Sequence, residues 1–127
     1  MFHLGKRSRE NLQGVHPDLV IAVATAIQRV PLDFSVIEGV RTLKRQKELV
    51  EAGASWTLKS RHLTGHAVDI APYVSGRIRW DWPLFGILIK TLRQVSKDCN
   101  IPLEFGYDWK RHPDGPHIQL PKRWYPE

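Results

Sequence analysis

One cysteine, Cys99, stands alone among 127 residues, so no internal disulfide can form and nothing argues for folding in an oxidising compartment. It falls in an apolar helical run and reads as a buried thiol rather than a nucleophile. No apolar run approaches the roughly 20 residues that a membrane span needs, so no membrane insertion is expected. The basic start, Met1 to Arg7, has no apolar segment behind it, which speaks against a secretory signal peptide and for synthesis in the cytosol. Internal repeats, low-complexity tracts and linkers are also missing. The 127 residues therefore read as a single domain, 1–127, with no separate binding module.

Acidic residues are the scarcer charge, 13 against 19 Lys and Arg, which leaves a net charge of +6. That excess favours an anionic partner. The basic residues are scattered, at Arg41, Lys44, Arg45, Lys47, Arg77, Arg79, Lys110 and Arg111, rather than gathered in a stripe. Scatter disfavours nucleic acid, which calls for a clustered face and a recognition motif. It suits an anionic polymer such as a cell wall, met by the protein as a monomer.

Residues 1–15 read as polar and irregular. A helix opens at His16-Pro17-Asp18, carries Leu19, Val23, Ala26, Ile27 and Val30 at helical spacing, and stops at Pro31. Phe34 to Glu38 reads as a strand. Thr42 is a plausible N-cap for a helix from Leu43 to Glu51, with Gly53 where a left-handed residue closes it. Residues 54–65 form a long polar loop containing Trp56, and loops of that length are often functional. His66 to Pro72 alternates as a strand, with Val68 and Ile70 on the core face and Ala67, Asp69 and Ala71 on an open, small-residue face. Ser75-Gly76 is a turn before a short edge strand, 77–80. A second long helix opens at Asp81-Trp82-Pro83 and ends before Asn100. Strands follow at 103–107 and 117–120, separated by a loop rich in Asp, Pro and Gly. The fold class is α+β, a small antiparallel sheet with about three packed helices.

Two clusters carry chemistry. Ser60-Arg61-His62-Leu63-Thr64-Gly65-His66-Ala67-Val68-Asp69 holds two histidines and a carboxylate, and Asp114-Gly115-Pro116-His117 holds one of each. A catalytic zinc takes three protein ligands and keeps a fourth position for water, whose pKa it lowers. His62 and His66 are four apart, but Gly65 lies between them and strand alternation follows, so a shared helical face is not expected. Strand parity turns His66 away from Asp69, whereas His62, at the loop end, can swing over it. His62 and Asp69 are thus the first two ligands, and His66 is a structural or ligand-orienting histidine. The turn 114–117 can place one side chain on the metal and the other beside it. Trp56 and Trp109 flank the motifs as candidates to line a substrate cleft, and Trp80, Trp82 and Trp124 read as core or rim anchors. Asp108 is a candidate for an accessory cation site.

The pattern Ser60-x-His62-x-x-Gly65-x-Ala67-x-Asp69 resembles the signature of the M15 zinc peptidases at all five fixed positions. That family includes D-alanyl-D-alanine peptidases and phage L-alanyl-D-glutamate peptidases, on a fold similar to the Hedgehog signalling domain. Asp114-x-x-His117 matches its second motif, and Arg41 matches its upstream arginine. The resemblance spans residues from about 34 to 120. It implies that His62, Asp69 and His117 bind Zn2+, that Asp114 is the general base, and that Arg41 polarises the scissile carbonyl or holds the oxyanion. Ser60 would orient the ligands. Many members carry Glu in place of Asp114, and the shorter carboxylate looks more like the phage endolysin branch.

The activity implied is hydrolysis of the L-alanyl-D-glutamate bond of peptidoglycan stem peptides during host lysis. Such a protein would be made in the host cytoplasm and reach the wall or periplasm through a holin pore. A D,D- or L,D-carboxypeptidase removing terminal D-alanine is the alternative within the family, and the missing export signal argues against it. A Hedgehog-like domain that binds zinc or wall polymer without cutting is the alternative from another class, and an unligated Asp114 argues against that.

Overall fold

Among residues 1–55 and 57–126, which the computed structural model describes, four helices and five strands follow one another along the chain. The helices are α1 (Lys6–Asn11), α2 (Pro17–Arg29), α3 (Leu43–Glu51) and α4 (Trp82–Cys99). The strands are β1 (Phe34–Glu38), β2 (Ala67–Val74), β3 (Arg77–Ile78), β4 (Glu104–Phe105) and β5 (His117–Gln119). The sheet runs β1-β2-β5-β4 with every pair antiparallel, and β3 forms a hairpin with the far end of β2. The architecture is α+β, as expected.

The two long helices form where the apolar spacing placed them. Leu19, Val23, Ala26 and Ile27 of α2 and Phe85, Leu88, Ile89, Leu92 and Val95 of α4 are buried. They pack on each other and on the sheet face that carries Val36, Val68, Ile70, Phe105 and Ile118. Register sets this row: Val36 lies opposite Ile70, and Val68 and Phe105 each lie opposite Ile118. Burying each large apolar side chain is worth roughly 1.5–3 kcal/mol. His16 caps α2 by accepting the Asp18 N–H at its Nδ1, and Asn100 ends α4 in the left-handed conformation at φ 54°.

The fourth helix is a correction to the reading of residues 1–15 as irregular. α1 has no apolar stripe, and its only buried residue is Ser8. Its work is polar. Ser8 Oγ accepts the Val36 N–H at 2.9 Å, and the Asn11 amide donates to the Val36 carbonyl at 2.8 Å. β1 is an edge strand of the four-strand path, and these two side chains satisfy the backbone groups that an edge leaves unpaired.

Other expectations need adjusting. Ala67 and Ala71 are fully buried, so the second face of β2 is covered rather than open; the 3-10 turn Arg61–Thr64 packs against it. The strand expected at 103–107 is two residues long, because a 3-10 turn takes over at Gly106–Asp108. Trp80, Trp82 and Trp124 are exposed and belong to the rim, with Trp82 stacked on Tyr107. Cys99 is half-buried at the end of α4. No helix among the described residues is long and apolar enough to cross a membrane.

Candidate active site

The covered face of the sheet holds one polar row. Antiparallel register sets Asp69 of β2 directly opposite His117 of β5, so both side chains rise from the same face. On the other flank β1 would bring Ile37 opposite Asp69 if its pairing ran regularly from Val36. A bulge between Val36 and Glu38 inserts one residue and puts Glu38 there instead. Glu38, Asp69 and His117 thus stand in line across three strands.

His62 reaches this row from the 3-10 turn. Ser60 caps that turn, its Oγ accepting the His62 N–H at 3.2 Å, and Gly65 closes it at φ 78°. A β-carbon at Gly65 would lie 2.6 Å from the Gly14 carbonyl oxygen, so the close approach demands glycine. His62 is 1% exposed and does not swing from a loose loop, as its sequence position suggested; the turn fixes it. Its Nε2 lies 3.2 Å from Asp69 Oδ1, and His117 Nδ1 lies 3.4 Å from the same oxygen.

The outer nitrogens of both rings are committed. His62 Nδ1 donates to the Gly39 carbonyl at 2.8 Å. His117 Nε2 lies 2.8 Å from Gln119 Oε1, whose amide nitrogen points towards Glu104 at 3.4 Å. A carboxylate only accepts, so Gln119 turns its oxygen to His117 and draws the ring hydrogen outward. Both inner nitrogens then aim lone pairs at a carboxylate, an arrangement that calls for a cation. The three side chains each offer one ligand atom, all within 4.8 Å of one another, a geometry able to hold a metal ion. Burial pushes the Asp69 carboxyl up, but the His117 and His62 rings set against it outweigh that and hold the group well below the usual carboxylate range.

Arg41 sits at the β1 end of the row. Its Nε and Nη2 grip both oxygens of Glu38 at 2.7 and 2.6 Å, and Nη1 donates to Gln46 Oε1 at 2.7 Å with Ser60 Oγ at 3.5 Å. Nη2 also lies 3.8 Å from Asp69 Oδ2. Burial works against the guanidinium charge, and Glu38 more than restores it.

Asp114 lies outside the group of three, on the wall of the same cleft. Its N–H donates to the Gly106 carbonyl at 2.8 Å and its carbonyl accepts from His117 N at 3.2 Å, which fixes the tight turn between them. Burial, then the charge of Asp69, raises its carboxyl above the ordinary value, with His117, His62 and Arg41 pulling the other way. Trp109 packs on His117 with ring centroids 5.0 Å apart and is 37% exposed to the cleft.

The cleft has a volume of about 670 Å3. It gathers Arg41, Ser60, His62, Asp69, Trp109, Asp114 and His117, all singled out in the sequence. Trp56 lies outside the described residues. His66 is not among the cleft residues; its Nδ1 bonds Thr64 Oγ1 at 2.7 Å and its ring leans on His16. Asp108, the accessory-cation candidate, has both oxygens taken by Arg93, at 2.5 and 2.8 Å. Sequence reading missed Glu38, Gln46 and Gln119. Strand parity could have found Gln119, two residues from His117. Glu38 needed the bulge, which leaves no mark in the sequence.

A half-buried carboxylate with two imidazoles, an arginine and a second carboxylate lining one cleft is the equipment of a metal-dependent hydrolase. Comparison with known proteins makes the class particular. The chain belongs to the phage L-alanyl-D-glutamate peptidase family, whose pattern it matches over residues 1–120. It is 36% identical over 117 residues to the L-alanyl-D-glutamate peptidase of Escherichia phage T5, covering 89% of this chain and 85% of that protein. The L-alanyl-D-glutamate peptidase of Listeria phage A118 is 31% identical over 94 residues, which cover 74% of this chain and 32% of that protein. Among solved structures, the Serratia marcescens L-Ala D-Glu endopeptidase ChiX superposes with a TM-score of 0.93 at 45% identity, covering 99% of this chain and 95% of that one.

Proposed function

We propose that this chain is a zinc-dependent peptidoglycan endopeptidase that hydrolyses the L-alanyl-D-glutamate bond of stem peptides, acting on the wall after release from the cytoplasm in which it is made. The observation that carries the reading is the convergence of His62, Asp69 and His117, inner nitrogens on one carboxylate oxygen, with Asp114 beside them. Two imidazoles and one carboxylate are a donor set suited to zinc with an open fourth position. The metal would supply Lewis acidity and lower the pKa of a water bound there.

The chain's own groups do the rest. Asp114, its carboxyl raised by burial and by Asp69, takes the proton of the attacking water and returns it to the leaving amine. Arg41 keeps four of its five N–H groups on Glu38, Gln46 and Ser60; the fifth, on Nη2 and 3.8 Å from Asp69 Oδ2, is the one to meet negative charge developing on the scissile carbonyl. Trp109 gives the bound peptide an apolar wall.

Digestion of purified sacculi followed by mass spectrometry tests the reading. New amino-terminal D-glutamate, abolished by a chelator and restored by zinc, is the expected outcome. Release of free D-alanine would replace it with a carboxypeptidase, and intact sacculi would leave a wall-binding domain.

A further inference from the structure

α3 inverts the usual helix pattern. An amphipathic helix buries apolar residues and exposes polar ones. In α3 the only buried residue is Gln46, at 0% exposure, while Leu43 is 52% exposed and Leu49 and Val50 are half-buried. A buried amide costs stability unless all its groups are paired. Gln46 pairs every one: Oε1 accepts from Arg41 Nη1 at 2.7 Å, and Nε2 donates to Ser55 Oγ at 2.8 Å and, in a very short contact, to the Thr57 carbonyl. A guanidinium has only donors and a carbonyl only accepts, so this amide has one possible orientation. Its two ends join different parts of the cleft, for Arg41 stands at its floor and Ser55 and Thr57 form its wall.

We propose that Gln46 is a positioning residue for hydrolysis: its amide locks the Arg41 guanidinium, jointly with Glu38, so that one N–H stays aimed at the reacting carbonyl, and ties Ser55 and Thr57 to it. Glu38 grips Nε and Nη2 but leaves Nη1 to turn about that edge. Gln46 removes that freedom. The inference rests on the reading that Arg41 meets the developing negative charge, and the test separates the two.

Gln46→Met keeps the size and removes both hydrogen-bonding ends. Steady-state kinetics on a soluble stem peptide, with metal content and thermal midpoint measured in parallel, should show kcat lower by about ten- to hundredfold, the cost of losing a bond to a charged group. KM and metal content should hold within about twofold, since substrate and metal contacts are untouched. In an Arg41→Ala background the same change should cost less than about twofold, because two residues acting as one unit are not additive. A kcat at the wild-type level, an effect confined to KM, or an equal loss in both backgrounds would overturn the positioning role. Arg41→Ala with undiminished kcat would overturn the Arg41 reading and the proposal with it, whereas a slow Arg41→Ala beside a fast Gln46→Met sinks the Gln46 role alone. Should the Met variant not fold, Gln46→Asn, one methylene too short to reach both partners, must give the same loss of kcat; full activity there overturns the proposal equally.

Discussion

At the scale of single residues, the proposed function separates groups that would hold a metal from one that would move a proton. His62, Asp69 and His117 face one another with their outer atoms tied down, whereas Asp114 stands beside them with a raised carboxyl. Asp114→Asn should therefore lower kcat/KM by about 10²–10⁴-fold, the usual worth of a general acid–base, with metal content unchanged. Gln119→Leu should behave in the opposite way. It removes the acceptor that draws the His117 hydrogen outward, so metal affinity should drop by about 10–100-fold in a competition with a chelator. Metal loss in Asp114→Asn, or unchanged affinity in Gln119→Leu, would reverse those assignments. The signature residues 60–69 favoured His62 over His66, and it is His62 that stands beside Asp69 and His117. The reason differs from strand parity: His62 is held by a capped, buried turn, and His66 lies against His16.

At the scale of elements, short irregular pieces place the chemistry and long regular ones support it. The bulge in β1 brings Glu38 into the polar row, the 3-10 turn delivers His62, and the turn 114–117 holds Asp114 against Gly106. Gly106 has no room for a side chain: a β-carbon would lie 2.4 Å from the Asp114 carbonyl and 2.9 Å from the His117 β-carbon. Gly106→Ala should push that turn aside and cost about 10²-fold in kcat, as an ångström of misplacement can. Activity equal to wild type would mean the turn yields without moving Asp114. These pieces were the least legible in the sequence, because hydrophobic periodicity marks helices and strands and is silent on bulges and turns. The same limit hid α1, a six-residue helix whose contribution is two hydrogen bonds from side chains to an edge strand.

For the whole molecule, two helices on one sheet face supply the stability, and Tyr125, late in the chain, is tied to one of them. Leu88 is fully buried where α4 meets the sheet, so Leu88→Ala should cost about 2–5 kcal/mol by denaturant unfolding with the site chemistry intact. Near the C-terminus the Tyr125 hydroxyl donates to Asp18 of α2 at 2.7 Å. Burial and then this bond push the tyrosine up to about 12, above its ordinary value. The stability that the bond contributes is complete below the unfolded value of about 10 and is lost as pH rises towards 12. Thermal midpoints of wild type and Tyr125→Phe should accordingly differ at pH 8 and converge by pH 12. A constant gap would show that the hydroxyl's proton is not what matters.

The sequence by itself determined the α+β class, the two long helices, the two motifs and the family. Each of these is written in local spacing: apolar residues every three or four positions, ligands at fixed offsets, Asp and His three apart. Only the tertiary structure decided which groups act together. Asp69 meets His117 because two strands 48 positions apart in the chain (117 minus 69) pair in one register, and Glu38 joins them through a bulge. Gln46 reaches Arg41 because a helix folds back on the strand before it. Register, bulges and helix docking are settled by packing across the whole fold, which no window of sequence contains.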